Sequence, residues 1–307
     1  MRAHGVRLLI AYFILVHRFP EQFKRMFRAI YVPGNQYLIH IDRTSGPEIQ
    51  ADITAFLKPY QGTAILEPRP MLWGGYSLVD AELRGMATLL KMSKSWTHYI
   101  NLSGQDFPLK SQEYIRGFLR LNRGKQYIRA VNQHLVRPDT VNRISHYFIE
   151  ALGRIFRTGV KRRPMADVTP FIGTQWKVVT RAFCEFACTD ARVKPFRTFY
   201  RRSLIADEGF FQTLIMNSGK HGEVINDDLR TIDWIPDGDI KLRPRTFVKA
   251  DAMRLSLSPD FFARKFDADE DSEILTLLEA HLLTPAASQY RPIANSSPLT
   301  PKPALAA

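Results

Sequence analysis

The sequence predicts an α/β fold built on a nucleotide-binding half of Rossmann type, and three features carry that prediction. The run RLLIAYFILV at 7–16 is apolar without alternation, as a parallel strand covered on both faces requires. Two further strand-like runs, QYLIHI at 36–41 and TAILEP at 63–68, follow with helical segments between them, so strand and helix alternate. Third, WTHYINLSGQDFPLK at 96–110 passes from strand-forming Thr97, Tyr99 and Ile100 into the small and polar Asn101, Ser103, Gly104, Gln105 and Asp106. Ligands of open α/β sheets bind outside the carboxyl ends of strands, so the lone carboxylate on this loop is a candidate for chemistry. The alternative is a turn in which Asp106 merely caps backbone amides. No GxGxxG and no Walker lysine loop accompanies the alternation.

The remaining elements follow in order. Pro20 opens a helix with Phe23, Phe27, Ile30 and Tyr31 on one face. QYLIHI ends in Asp42, and a helix around 49–57 leads to the third strand. In MLWGGYS, 71–77, Ser77 can cap the helix that carries Leu78, Leu83, Met86, Leu89 and Leu90. Trp73 beside Gly74-Gly75 offers either a flat surface for a base or a buried ring beside a tight turn. After the 96–110 stretch come a helix over 111–121 and a fifth strand, KQYIRAV at 125–131. Over 137–165 Ile144, Phe148, Leu152 and Ile155 recur near helical spacing among Arg137, Arg143, Arg154, Arg157, Lys161, Arg162 and Arg163. Such a basic amphipathic segment suits an anionic membrane surface, one wall of an acceptor cleft, or a core-facing helix with a solvated basic side. GTQWKVVT at 173–180 runs into a strand, and Thr180 caps RAFCEFACTD. Asp207 and Glu208 open an apolar helix over 205–215, a position acids also favour for dipole reasons. LRTIDW at 229–234 is a further strand, and a final helix is expected over 267–283. The Pro-, Ala- and Ser-rich stretch 284–307 reads as a disordered tail behind a single domain, 1–283.

Composition narrows the partners. A formal net charge of +13 favours nucleic acid, anionic lipid or a phosphorylated substrate. Arg243, Arg245, Lys249, Arg264 and Lys265 lack the aromatic interleaving or recognition helix of a nucleic-acid reader and suit a diphosphate instead. Cys184 and Cys188, the 2 cysteines, share a helix face, suit core packing, and make no disulfide framework. The apolar run Val6–Val16 is too short to span a bilayer and no cleavage site follows it, so neither a signal peptide nor a transmembrane segment is expected.

Taken together, YLIHID (37–42), Trp73-Gly74-Gly75 with Ser77, INLSGQDFPL (100–109), Gly173–Trp176, DEGFFQT (207–213), Asn217-Ser218, Leu229–Trp234 and FARKF (262–266) resemble the core-2/I-branching N-acetylglucosaminyltransferases and peptide O-xylosyltransferases. Each block is short; their consistent order over residues 6 to 267 carries the resemblance. FFQTLIMNS, LRTIDW and FARKF are closer to the xylosyltransferase branch. The resemblance implies a GT-A-like fold, with a mixed central sheet flanked by helices. It implies an inverting transfer from a UDP-sugar, GlcNAc or xylose, to a hydroxyl of a glycan or peptide, without a metal or other cofactor. The loop Ser-Gly-Gln-Asp holds one carboxylate where metal-dependent GT-A enzymes hold two, so cations must meet the charge on the departing UDP. By that resemblance Arg264 and Lys265 clamp the diphosphate, Arg243 or Arg245 adds a contact, and Asp42 and Trp73 line the uridine pocket. Gln105 and Trp176 face the acceptor. Glu208 matches the base of one branch and Asp106 that of the other; Glu208 is the expected base and Asp106 the positioning acid. Animal members carry a membrane anchor and disulfides, so a cytoplasmic, bacterial-type enzyme in cell-surface glycan synthesis is expected, peripheral at the inner membrane. A nucleotide- or glycan-binding protein without turnover is the alternative reading of the same fold.

Overall fold

A computed structural model describes residues 8–219, 221–237 and 241–285. The expected tail therefore lies, from residue 286 on, outside the described residues. The chain divides into two compact units: one holds the residues up to Lys24, Val32–Gly104 and Asn122–Leu229, the other Arg25–Tyr31, Gln105–Leu121 and the residues from Arg230 on.

The first unit is built on a seven-stranded mixed sheet in the order Val224–Ile225, Gln126–Ile128, Lys177–Thr180, His98–Ser103, Ile10–Val16, Gln36–Ile41, Thr63–Leu66. Ile10–Val16 pairs in parallel with both neighbours, whereas Lys177–Thr180 runs antiparallel between His98–Ser103 and Gln126–Ile128. The chain thus winds one way from Ile10–Val16 through Gln36–Ile41 to Thr63–Leu66 and the other way to His98–Ser103. That makes the carboxyl end of Ile10–Val16 a topological switch point. Burial explains its unbroken apolar sequence. Ala11 and Phe13 enter a core shared with Met86, Tyr99, Phe183 and Phe210, while Tyr12 stacks on Tyr37 on the opposite face at 5.3 Å. Helix Tyr76–Met92 approaches closely because residue 85 is glycine; a Cβ there would lie 2.6 Å from the Phe13 ring. Cys184, fully buried, and Cys188 are free thiols on helix Arg181–Thr189, which Thr180 caps by accepting from the Phe183 N–H.

The second unit holds a three-stranded sheet in which Phe262–Arg264 lies between Arg230–Ile232, parallel, and Asp106–Pro108, antiparallel. A ribbon of Trp234–Asp237 against Lys241–Pro244 and helices Gln112–Leu121, Ala252–Leu257 and Glu273–Leu282 complete it. Its interior is aromatic: Phe107 and Phe247 both pack on Phe266, and Phe118 packs on Phe261.

Several sequence-based expectations need correction. The 137–165 segment is not one helix but two single helical turns, Pro138–Thr140 and Asn142–Ser145, followed by a β-hairpin, His146–Ala151 with Arg154–Lys161. The i, i+4 apolar spacing misled, since Leu152 is 94% exposed and forms the turn with Gly153; the β-branched and aromatic residues around them favour strands. Ser77 does not cap helix Tyr76–Met92. Its hydroxyl accepts from the Leu72 N–H, and the helix start is capped instead by the Glu150 carboxylate, which accepts from the Tyr76 and Ser77 N–H groups. Asp207 and Glu208 stand in a 3-10 turn, Ala206–Glu208, ahead of helix Phe210–Ser218. The strands expected at 125–131 and 229–234 each break in two, and the last helix begins at Glu273, where the Asp271 carboxylate receives its first N–H.

Candidate active site

In the first unit the charged residues gather around Glu208. Ile205 takes a left-handed conformation, φ 49°, and its N–H bonds the Gly74 carbonyl at 2.6 Å, which ties the Trp73-Gly74-Gly75 turn to the Asp207-Glu208 turn. The Glu208 carbonyl receives the Gly173 N–H at 2.8 Å, and a Cβ on Gly173 would collide with the Arg129 carbonyl. So anchored, the Glu208 carboxylate accepts from Arg143 Nη1 at 2.8 Å, with the two side chains 28% and 22% exposed. Burial pushes the Glu208 carboxyl upward, against the pull of Arg143 and Arg137. Asp207, more deeply buried, is pushed up to about 7 by desolvation and by Glu208; its Oδ1 has no hydrogen-bond partner among the described residues. Behind it, fully buried Lys177 bonds both Glu82 oxygens at 2.8 and 2.9 Å, and Tyr99 donates to the same carboxylate. The arrangement leaves Glu208 as a carboxylate of raised basicity that reaches solvent, the electrostatic profile of a general base.

Asp42 lies at the carboxyl edge of the same sheet, its N–H bonded to the Val16 carbonyl. One carboxylate oxygen, Oδ1, accepts from both the N–H and the hydroxyl of Thr44, at 2.8 and 2.7 Å, so Asp42 is held at the switch point by a 3-10 turn. Trp73 is 72% exposed, which settles its two readings in favour of an open ring. Trp176 is buried, a packing position rather than an open platform. A cavity of about 140 Å³ is lined mainly by apolar side chains, Ile144, Met165, Val168 and Phe199 among them, with Arg162 and His134 at its wall.

In the second unit the charges gather around Asp106. It does not lie in a turn: it opens strand Asp106–Pro108, is fully buried, and faces Arg264 in the antiparallel register. Arg230 Nη1 lies 3.4 Å from one of its oxygens and Arg264 Nε 3.9 Å from the other. Two guanidinium groups thus approach one buried carboxylate, and burial lowers the Arg264 pKa, with Asp106 opposing and Arg230 adding to the shift. Gln105, also buried, holds the backbone of Phe266: its carbonyl accepts from the Phe266 N–H at 2.9 Å and its amide donates to the Phe266 carbonyl at 3.2 Å. Lys265 is half-buried, and Arg243 is exposed. Arg245 is engaged by two carboxylates, Asp233 at 2.8 Å and Asp251 at 2.7 Å, which raise its pKa. Among the described residues no three His, Cys, Asp or Glu side chains gather as metal ligands.

Residues 10–261 match the sequence family described as Core-2/I-Branching enzyme. The chain belongs to this family. It is similar to xylosyltransferase 2 of Mus musculus, 30% identical over 313 residues that cover 93% of this chain and 36% of the relative. It is also similar to xylosyltransferase 1 of Rattus norvegicus, 29% identical over 294 residues that cover 89% of this chain and 35% of that relative. The chain therefore spans about a third of the length of these relatives.

With the core-2/I-branching family in place, the mixed sheet with its helices is a GT-A-like fold. Within each unit the structure adds charged partners that sequence reasoning missed. Arg143 and Arg137 act on Glu208, and Arg230 acts on Asp106. Nothing local marked Arg143 among the other cations of its segment. Arg230 did carry a signal, a charged residue within the strand expected at LRTIDW.

Proposed function

We propose that this core-2/I-branching enzyme is an inverting glycosyltransferase that moves GlcNAc or xylose from a UDP-sugar to a hydroxyl of a glycan or peptide without a metal. The observation that carries the reading is Glu208: a solvent-reaching carboxylate made more basic by burial, oriented by Arg143, in a family whose relatives are named xylosyltransferases. In the reaction the acceptor hydroxyl gives its proton to Glu208 while its oxygen attacks the anomeric carbon. The bond from that carbon to the UDP oxygen breaks on the opposite face, and UDP leaves with the electron pair. Arg264 and Lys265 take the charge that appears on the diphosphate, the task a divalent ion performs elsewhere. Asp42 and Trp73 hold the uridine, and Arg243 supplies a further cation at the surface. Arg245, already held by Asp233 and Asp251, serves the diphosphate less directly, as a brace for the strand that precedes Phe247. The full burial of Asp106 favours a positioning role for it over that of base.

The test is UDP release from a panel of UDP-GlcNAc, UDP-xylose, UDP-glucose and UDP-galactose, each with and without EDTA. Turnover of one donor, unchanged by EDTA, is expected. Absence of both turnover and UDP binding would overturn the enzyme reading, and loss of turnover on chelation would overturn the metal-free mechanism.

A further inference from the structure

We propose that the hairpin His146–Ala151/Arg154–Lys161 is a wedge that seats the protein on an anionic lipid bilayer. Its two faces are chemically distinct. Glu150 and Ile155 lie opposite each other in register, and both are engaged on one side. The Glu150 carboxylate receives the first N–H groups of helix Tyr76–Met92, and Ile155 lies over the backbone of Gly74. Side chains alternate along a strand, so the neighbouring register pair, Ile149 opposite Phe156, faces the other way. Both are exposed, as is Tyr147 two residues before Ile149.

The tip is the second observation. Leu152 and Gly153 form a two-residue turn with φ of 50° and 70°, the pattern in which asparagine, aspartate or glycine normally stands first. A leucine there is disfavoured by its backbone conformation and, at 94% exposure, by water as well. Arg154, whose register partner is Ala151, follows the tip on the Ile149/Phe156 side, with Lys161 at the open end of the hairpin and Arg163 just beyond it; all three are exposed, and none forms an ion pair among the described residues. The one carboxylate of the hairpin, Glu150, is turned inward onto the helix start.

An apolar tip and face with a cation beside the turn and others at the far end matches an anionic bilayer on which the hairpin lies: Leu152 and the Ile149/Phe156 face enter the acyl boundary while the guanidinium and ammonium groups remain at the lipid phosphates. Nucleic acid would meet the cations but leave the apolar face in water. A second copy of the hairpin would bring like charges together.

The experiment is co-sedimentation of the full chain with vesicles of phosphatidylcholine alone or with about one-third phosphatidylserine, at low and high salt. Binding to the anionic vesicles that weakens with salt is expected. Leu152→Asn should weaken it by about tenfold without lowering the unfolding midpoint or the turnover in solution, since asparagine suits the turn. Arg154→Gln and Arg163→Gln should each weaken it by roughly fivefold. Absence of binding to anionic vesicles at low salt, or equal binding by Leu152→Asn and the unaltered chain, would overturn the proposal. So would a vesicle-independent dimer that Leu152→Asn abolishes. These readouts do not depend on catalysis, so failure of the glycosyltransferase reading leaves them intact.

Discussion

Replacing Arg143 by methionine should move the pH profile of the enzyme in a direction set by the surroundings of Glu208. The guanidinium donates to the carboxylate at 2.8 Å, and it favours the ionised form that a general base requires. Two unit charges about 4 Å apart interact by roughly 4 kcal/mol at an effective dielectric of about 20. Both side chains reach solvent, at 28% and 22% exposure, so the realised effect is smaller. An opposite charge at such a distance typically depresses a carboxyl by about 1–3 pKa units. Burial already drives Glu208 upward, and without Arg143 the remaining named counterweight is Arg137. Activity is present above the pKa of the base and lost below it. The acid limb of kcat/KM should therefore shift upward by about 1–3 pH units, with a loss of roughly tenfold per unit below the new limb and little loss far above it. The measurement is UDP release against pH for the two proteins, with the unfolding midpoint recorded beside it. An acid limb that stays in place in a folded, active variant would mean that Glu208 is not the titrating base.

Two further outcomes follow from the same unit. Trp73→Ala removes an exposed ring, so it should change stability by no more than about 0.5 kcal/mol yet weaken UDP binding by about tenfold or more; unchanged affinity in a titration calorimeter would remove Trp73 from the uridine site. Asp207 is held near 7 in the folded chain against an ordinary 3.8, so between those values the folded state keeps a proton that the unfolded state has released. Stability must then fall as pH rises through that window. Asp207→Asn should raise the unfolding midpoint at pH 8 and leave it nearly level at pH 4, and equal shifts at both would contradict the burial argument.

What could be read from the sequence follows from how local each signal is. A parallel strand buried on both faces writes itself as a continuous apolar run, so Ile10–Val16 and Gln36–Ile41 stood out, and Asp42 with them as the residue that ends the second. The 146–161 hairpin did not, because apolar residues four apart also occur on strands that fold back through a two-residue turn; the deciding feature was Leu152-Gly153, and leucine hides a turn that asparagine would announce. Ser77 had the chemistry of a helix cap, but the anion that takes the position, Glu150, lies 73 residues further along. The same distance problem conceals Arg143: its segment is rich in cations, and its pairing with Glu208 is settled by where two short helical turns meet.

Asp106 tests how far identity of side chain determines role. Glu208 and Asp106 are both carboxylates in the matching family blocks, yet one reaches solvent in an ion pair with Arg143 and the other is fully buried with Arg230 and Arg264 beside it. A base must touch the hydroxyl whose proton it takes, and full burial argues for the other role for Asp106: from the strand Asp106–Pro108 it fixes Arg264, its register partner, and Arg230. Asp106→Asn keeps the shape and removes the charge. If Asp106 positions the cations, UDP binding and KM for the donor should worsen by about tenfold or more while the acid limb stays where Glu208 puts it, and the unfolding free energy should fall, since breaking one side of a buried pair costs about 3–5 kcal/mol. If Asp106 were the base, kcat would fall by about 10²–10⁴ with UDP affinity intact. The split between the two constants, measured on protein shown to be folded, decides between them, and a collapse of kcat with unchanged UDP binding would return the base to Asp106.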